Sequence, residues 1–192
     1  MPIRQVDGVV LLAAEIETEP IEALIHHCVP LVTMDRRVVW PGLSDVTIEH
    51  VSGMREAINH LRELGPHRLA YIGASSGLTI SDHRISAFHE AMHDAGLTVH
   101  LEYIRAGNYR ITGGESCMEE LLNLNNPPTA VMSANDLTAI GVLPTLRRHR
   151  LSVRKDFSIV GFVDINLSDI IHPPLTTLRL PRQESALASM KP

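Results

Sequence analysis

Three residues on one predicted helix match a motif of metal-dependent catalysis. His89, Glu90 and His93 match H-E-x-x-H, in which two histidines one helical turn apart bind zinc and the glutamate activates water. The helical phase that buries Phe88 and Met92, however, turns Glu90 and His93 towards solvent. A third ligand would have to come from a glutamate beyond an intervening strand. The motif therefore makes a zinc protease only a minor hypothesis.

A serine motif follows the predicted strand at 69–73. Residues 73–77, GASSG, match the nucleophile elbow G-x-S-x-G, with Ser75 in the central position. An elbow must enter its helix at once, whereas the helix signal here begins no earlier than Ser81. Asp164 and His172 follow in the order of a catalytic triad, but too close together for the strand and helix that normally separate such residues. We interpret Ser75 as a hydroxyl group lining a binding crevice, and keep a hydrolase as an alternative.

Acidic side chains follow two apolar runs that read as buried strands. Asp35 comes directly after residues 31–34, and Asp164 comes directly after 158–163. In open parallel sheets the crevice beyond the carboxyl ends of the strands holds the ligand, so both carboxylates are candidate ligand groups. The alternative for Asp164 is that it caps a turn.

Strands and helices alternate along the sequence, which predicts an α/β fold with parallel sheets and helices on both faces. The predicted strands are 9–13, 31–34, 46–48, 69–73, 99–104, 130–134, 158–163 and 175–180. Helices are predicted at 20–27 and 51–64, from Ser81 or Asp82, from a capping box of Thr112 and Glu115, and from Asn135. Pro144 should kink the last of these helices.

The composition is that of an ordinary soluble protein with enough apolar material for a core. Of 192 residues, 44% are apolar and 20% are charged, and the net charge is −5. An acidic chain is a poor match for phosphate backbones, which excludes a nucleic-acid-binding surface of the usual basic kind. Two cysteines far apart in sequence indicate no disulfide framework and no metal site. Without a visible signal peptide, a cytoplasmic location fits best.

The ordered blocks of the sequence resemble the effector-binding core of the LacI/GalR transcription regulators. The likeness begins at VDGVVL (6–11) and continues through VPL (29–31) with Asp35 and Arg36, and through the helix that ends at Gly65. It ends with SIVGFVDINLSDIIHPPLTT (158–177), which is similar to the signature segment of the family. Each block is moderately specific, and the ordered set covers nearly the whole chain.

The resemblance implies two Rossmann-like subdomains with parallel sheets, the periplasmic-binding-protein-like type I fold, joined by crossover strands. On that basis residues 66–178 form a complete second subdomain. Residues 1–65 with 179–192 form part of the first, which we expect to be incomplete. No DNA-binding headpiece is visible in the sequence.

The resemblance also implies ligand residues. Asp35 is similar to an acidic residue that reaches the effector from the first subdomain, and Arg84 to an arginine that does so from the second. Tyr109 stands where the family has a stacking aromatic, and Asn135 where it has an amide that bonds the ligand. The family usually shows two acidic residues after the Gly-Phe of the signature, and here the first is Val163.

The expected function is therefore non-enzymatic binding of a small effector, a sugar or a related metabolite. In the family, ligand-driven subdomain closure in a homodimer controls DNA binding through the headpiece. No cofactor, metal or membrane is expected. The alternative outside gene regulation is a periplasmic-type sugar-binding protein of a transporter, which shares the architecture.

Overall fold

Strands and helices alternate along the part of the chain that the structure describes. The computed structural model describes residues 7–12, 18–26, 29–37, 40–65, 68–74 and 79–190. The strands are β1 (Val9–Leu11), β2 (Leu31–Met34), β3 (Leu43–Val46), β4 (Leu69–Ala74), β5 (Ile104–Gly107), β6 (Ala130–Ser133), β7 (Ser158–Val163) and β8 (Thr176–Arg179). The helices are α1 (Thr18–His26), α2 (Val51–Glu63), α3 (Thr79–Asp94), α4 (Ile111–Leu122), α5 (Asp136–Arg148), α6 (Leu167–Ile170) and α7 (Arg182–Ser189). The predicted α/β class is confirmed.

Five parallel strands form the larger sheet, in the order β5-β4-β6-β7-β8. The central strand β6 is buried along its whole length, and β7 is buried at its four inner residues. Parallel strands covered on both faces need apolar side chains on both, which explains the continuous apolar runs in the sequence. The prediction of β7 at 158–163 is confirmed at both ends.

Helices cover both faces of this sheet. Successive strand residues point to opposite sides, so both faces carry apolar side chains that the helices bury. Along β4, Leu69 and Tyr71 join one buried cluster, whereas Ala70 and Ile72 join the other. The first cluster takes its helical residues from α2 and α3, and the second takes them from α4 and α5. The result is three layers, helix on sheet on helix, with two apolar cores.

Helices α4 and α5 approach closely because glycine stands at both contact points. A Cβ on Gly114 would overlap the carbonyl oxygen of Thr138, and a Cβ on Gly141 would overlap the carbonyl oxygen of Ile111. Helix α5 runs through Pro144 without ending there. Its amino end is capped by Asn135, whose side chain accepts from the Thr138 N–H at 2.9 Å.

Three parallel strands form the smaller sheet, in the order β1-β2-β3. Asp45 fixes the loop after β2, because its carboxylate accepts from the Thr33 hydroxyl at 2.6 Å and from the backbone N–H of Arg37 at 2.8 Å. Asp35 begins that loop with φ 58°, and its N–H donates to the Val46 carbonyl at 2.9 Å. Helix α7 packs against β3.

The chain divides into two compact units. One comprises Met1–Glu49, Leu78–Ile80 and Pro181–Pro192, and the other comprises His50–Gly77 and Ser81–Leu180. Helix α2 groups with the second unit, because Met54, Ile58 and Leu61 are buried in a core that also contains Phe88. This division differs from the subdomain boundary that we expected after Gly65.

Several local predictions were wrong where the backbone followed tertiary contacts. The strand expected at 99–104 begins only at Ile104, after a 3-10 turn over Leu101–Tyr103. The capping box does not form, because α4 starts at Ile111 and its first flanking residue, Arg110, has no side-chain cap. The third strand lies at Leu43–Val46 rather than at 46–48, and the short helix α6 was not predicted. No helix of the described residues is long and apolar enough to cross a membrane.

Candidate functional site

Polar and aromatic side chains meet at the carboxyl end of the larger sheet. Helix α3 supplies Arg84, and the segment after β5 supplies Tyr109. Asn135 follows β6, and Asp164 follows β7. The topology therefore brings four sequence-predicted site residues to the edge of an open sheet at which α/β proteins bind ligands.

Arg84 is the central residue of this site. Its side chain is 6% exposed, and Nη1 donates to the carbonyl oxygen of Ala134 at 2.7 Å. The guanidinium carbon lies 4.7 Å from the centre of the Phe162 ring and 5.9 Å from the centre of the Tyr109 ring. Such stacking is favourable for a cation that is largely desolvated. Nε is buried without a hydrogen-bond partner, and no carboxylate of the described residues forms an ion pair with this guanidinium.

Asn135 positions Tyr109. Its amide nitrogen donates to the Tyr109 carbonyl at 2.8 Å, while its amide oxygen caps α5 through the Thr138 N–H. Tyr109 has φ 57°, a left-handed backbone conformation that few non-glycine residues adopt. The Asn135 side chain therefore holds the loop that carries Tyr109.

Two tyrosine hydroxyls complete the buried part of the site. The hydroxyls of Tyr71 and Tyr109 are both buried and have no hydrogen-bond partner. The Tyr71 ring stacks on Phe88 with centroids 4.7 Å apart. Burial raises the pKa of Tyr71 far above its ordinary value, and nearby Tyr109 raises it further, so this hydroxyl stays protonated and can donate.

Tyr71 and Phe162 are site residues that the sequence analysis missed. Alternation along a strand could have shown that Tyr71 and Phe162 each face one side of the sheet. Both lie in the same buried cluster. The contact of Phe162 with Arg84 depends on how α3 packs on the sheet, and the alternation along a strand carries no information about that packing.

The loop after β7 is held from inside the second unit. Val163 and Asp164 both have positive φ, at 107° and 61°. The Asp164 carboxylate accepts from Nε of Arg179 at 2.5 Å. The fully buried Asp136 accepts from the Ile165 N–H at 2.8 Å and from the Thr177 hydroxyl at 2.5 Å. Asp164 thus lies at the predicted strand end, with its carboxylate already bonded.

Two other predicted site residues belong to different parts of the chain. Asp35 is buried in the first unit, where its Oδ1 accepts from the Ile48 N–H at 3.5 Å. Ser75 lies outside the described residues. Both assignments stay predictions.

The metal-binding pattern on α3 faces solvent. His89, Glu90 and His93 are all exposed, and the helical phase predicted this for Glu90 and His93. Among the described residues, no three His, Cys, Asp or Glu side chains are grouped closely enough to hold a metal ion. The helix uses its other face for packing, with Ala87, Phe88 and Met92 in the core.

A separate pocket lies at the opposite end of the larger sheet. It has a volume of about 400 Å³, an apolar floor that includes Leu61, Phe157 and Leu175, and a rim that includes Arg154 and Lys155. It touches the amino ends of β7 and β8, and so does not belong to the site around Arg84.

The comparisons with known proteins agree with this architecture. A family model described as a periplasmic binding protein-like domain matches residues 58–190. The chain is 32% identical over 190 residues to the HTH-type transcriptional repressor CytR of Escherichia coli K12, covering 97% of this chain and 55% of that protein. It thus spans about half the length of the curated relatives it matches.

Solved structures show the same likeness. A LacI transcriptional regulator from a Rhodococcus species has a TM-score of 0.85 and 32% identity, with 97% of this chain and 68% of that chain covered. The complex of the transcriptional regulator CelR with cellobiose has a TM-score of 0.85 and 28% identity, with 97% and 57% covered. The chain belongs to the periplasmic-binding-protein-like domain family, in the form that LacI-type transcription regulators carry as their effector-binding core.

Proposed function

We propose that this chain binds a small-molecule effector at the carboxyl end of its larger sheet and serves as the sensing part of a LacI-type regulator. The observation that carries the proposal is the set of unpartnered buried polar atoms at one place, Nε of Arg84 and the hydroxyls of Tyr71 and Tyr109. Buried polar groups in native proteins are nearly always bonded. A ligand that accepts from these donors supplies the missing partners.

Relatives support a sugar or related metabolite as the effector class. The CelR structure is a complex with cellobiose, and its fold superposes on nearly the whole of this chain. Aromatic rings and bidentate donors suit such ligands, because rings pack on C–H faces while polar groups fix the orientation. The proposed ligand residues are Asp35, Ser75, Arg84, Tyr109, Asn135 and Asp164, with Tyr71 added from the structure.

The regulatory role extends the proposal to the longer protein. The effector would act by binding one subdomain arrangement more tightly than another, which shifts the population of the DNA-binding state. DNA would be read by a headpiece outside this sequence, in agreement with the net charge of −5 here. We propose no cofactor and no catalytic activity, and a cytoplasmic location.

The proposal includes a homodimer. Apolar side chains that stay exposed in a soluble domain indicate an interaction surface when they lie together. Leu167 and Ile170 on α6 are 38% and 76% exposed and lie on one short helix. An Ile170→Asp variant should sediment as a smaller species than the unaltered chain at equal concentration.

Isothermal titration tests the binding proposal. The panel consists of neutral sugars, nucleosides, sugar acids and sugar phosphates, titrated into the folded chain. One class should bind, and Arg84→Ala should weaken that binding at least about tenfold. The matched control is Arg154→Ala, at the opposite end of the sheet, which should leave affinity unchanged. The proposal would be contradicted if no compound of the panel produced a heat of binding. It would also be contradicted if Arg84→Ala bound the ligand with the same affinity as the unaltered chain.

A further inference from the structure

We infer that the effector of this chain is an acid that presents a carboxylate or phosphate oxyanion to Arg84, rather than a neutral polyol. The inference rests on the proposed function, and it names the chemical class of ligand for the same site. It follows from the charges that the second unit places around one buried guanidinium.

Arg84 is a buried cation whose contacts include no carboxylate of the described residues. A buried cation without an anion loses much of its hydration, and this loss is costly unless a partner of opposite charge replaces the water. The described residues give Arg84 one carbonyl oxygen and two ring faces, which compensate only part of that loss. A guanidinium has five N–H donors, and a carboxylate or phosphate can accept two of them at once.

The carboxylates that follow β6 and β7, Asp136 and Asp164, are already bonded. Asp136 accepts from Ile165 and Thr177, and Asp164 accepts from Arg179. The last residue of β7 is Val163, an apolar side chain packed against the cluster that contains Phe162. Among the residues described, the acidic side chains at these two strand ends are therefore bonded elsewhere, and the contacts of Arg84 include no carboxylate.

Hydrogen-bond donors outnumber free acceptors among the side chains around Arg84 that have no partner. The hydroxyls of Tyr71 and Tyr109 are buried donors, and the remaining N–H of Asn135 adds another. A neutral polyol brings a hydroxyl hydrogen with each of its oxygens, and each such hydrogen needs an acceptor. An oxyanion brings only acceptors. The donors that converge at this end of the sheet therefore match an oxyanion better than they match a row of hydroxyls.

The test compares neutral compounds with their acids in the same titration. Three matched sets serve as probes: glucose, glucuronate and glucose 6-phosphate; galactose, galacturonate and galactose 6-phosphate; cytidine and cytidine 5′-monophosphate. In at least one set an acid should bind at least about tenfold more tightly than its neutral parent, the ratio that one charge-assisted bond provides. A carboxylate arm and a phosphate arm then tell the two sources of the oxyanion apart.

Two variants connect the preference to its cause. Arg84→Gln should lower affinity for the acid more than affinity for the neutral parent. Val163→Asp should reduce the preference by adding a negative charge at the end of β7. Arg154→Gln serves as the control, and it should leave the ratio of the affinities for acid and neutral parent unchanged. If Arg84→Gln does not fold, the unaltered chain still tests the inference. The ratio of its affinity for the acid to its affinity for the neutral parent should exceed one and should fall with added salt.

The outcomes separate the inference from the proposed function. If a probe binds but the neutral parent binds as tightly as its acids, or more tightly, in every set, the inference is overturned and the proposed function stands. A preference for acids that persists in Arg84→Gln also overturns it. Absence of binding by every probe, with the chain shown to be folded, contradicts the proposed function itself.

Discussion

The guanidinium carbon of Arg84 lies 4.7 Å above the centre of the Phe162 ring, while its Nη1 donates to the carbonyl oxygen of Ala134. Phe162 lies near the end of β7, and Ala134 directly follows the neighbouring strand β6. The Arg84 side chain therefore connects α3 to the ends of both strands. These contacts within the protein hold the arginine side chain in place. Preorganisation of this kind lowers the ordering cost of binding.

The close approach of α4 and α5 predicts opposite effects for one substitution at two helical glycines. Gly141→Ala should lower the free energy of unfolding by about 2–3 kcal/mol, because the new methyl group would overlap the Ile111 carbonyl and force the helices apart. Gly53→Ala should raise it by about 0.5–1 kcal/mol, because its methyl group meets Leu178 at an ordinary 3.5 Å and alanine favours the helix. Urea unfolding measures both, and equal effects would contradict the packing.

The buried carboxylate of Asp136 predicts a large cost for a nearly isosteric change. Asp136→Asn replaces one acceptor oxygen with a donor that faces either the Ile165 N–H or the Thr177 hydroxyl. Unfolding should be easier by about 2–3 kcal/mol. Asp82→Asn is the matched control in the first turn of α3, and because Asp82 is exposed it should change stability by less than about 0.5 kcal/mol. Similar losses in both variants would show that Asp136 is not the anchor of the β7 loop.

Cys117 offers a prediction about pH and reactivity. Burial raises the pKa of its thiol, and the charge of Glu120 raises it further. The folded state therefore favours the protonated thiol, and the contribution to stability is lost as pH rises above about 8.5, the ordinary cysteine value. In a Cys28→Ser variant, iodoacetamide should modify Cys117 more slowly in the folded chain than in urea. Equal rates at pH 8 would mean that the thiol is accessible and its pKa ordinary.

The exposed ion pair of Arg55 and Asp94 predicts a measurable titration shift. The hydrogen bond from Arg55 holds the pKa of Asp94 below its ordinary value, and the charges of Arg55 and His93 act in the same direction. The stabilisation is present above about pH 4 and is lost as pH falls through the lowered pKa. Carboxyl NMR titration should show the Asp94 pKa rising in Arg55→Gln. An Asp94 pKa that stays the same in Arg55→Gln would show that the ion pair does not lower it.

The sequence predicted the elements that have a strong local pattern. Strand β7 was correct at both ends because its apolar run is short and rich in β-branched residues, which favours a strand covered on both faces. Helix α2 was correct because Met54, Ile58 and Leu61 recur at helical spacing. Strand β5 was misplaced, since its pairing with β4 begins only at Ile104 and the preceding apolar residues form a turn.

The site was predicted only in part, for a physical reason. Arg84 came from the family resemblance, and the structure locates it at the expected end of the sheet. The unpartnered hydroxyls of Tyr71 and Tyr109 depend on what surrounds each atom after packing, which no spacing along the chain reveals. Likewise, the bonds that occupy Asp164 and Asp136 come from residues distant in sequence.

Hydrogen exchange with and without ligand tests the central claim most directly, since that claim is the location of the binding site. The chain should be saturated with the compound of the titration panel that binds most tightly. Protection should then increase at the backbone amides around Tyr109 and Asn135 and after β7, and not around Arg154 to Phe157 beside the opposite pocket. Protection confined to Arg154–Phe157, with the amides around Tyr109 unchanged, would contradict the account.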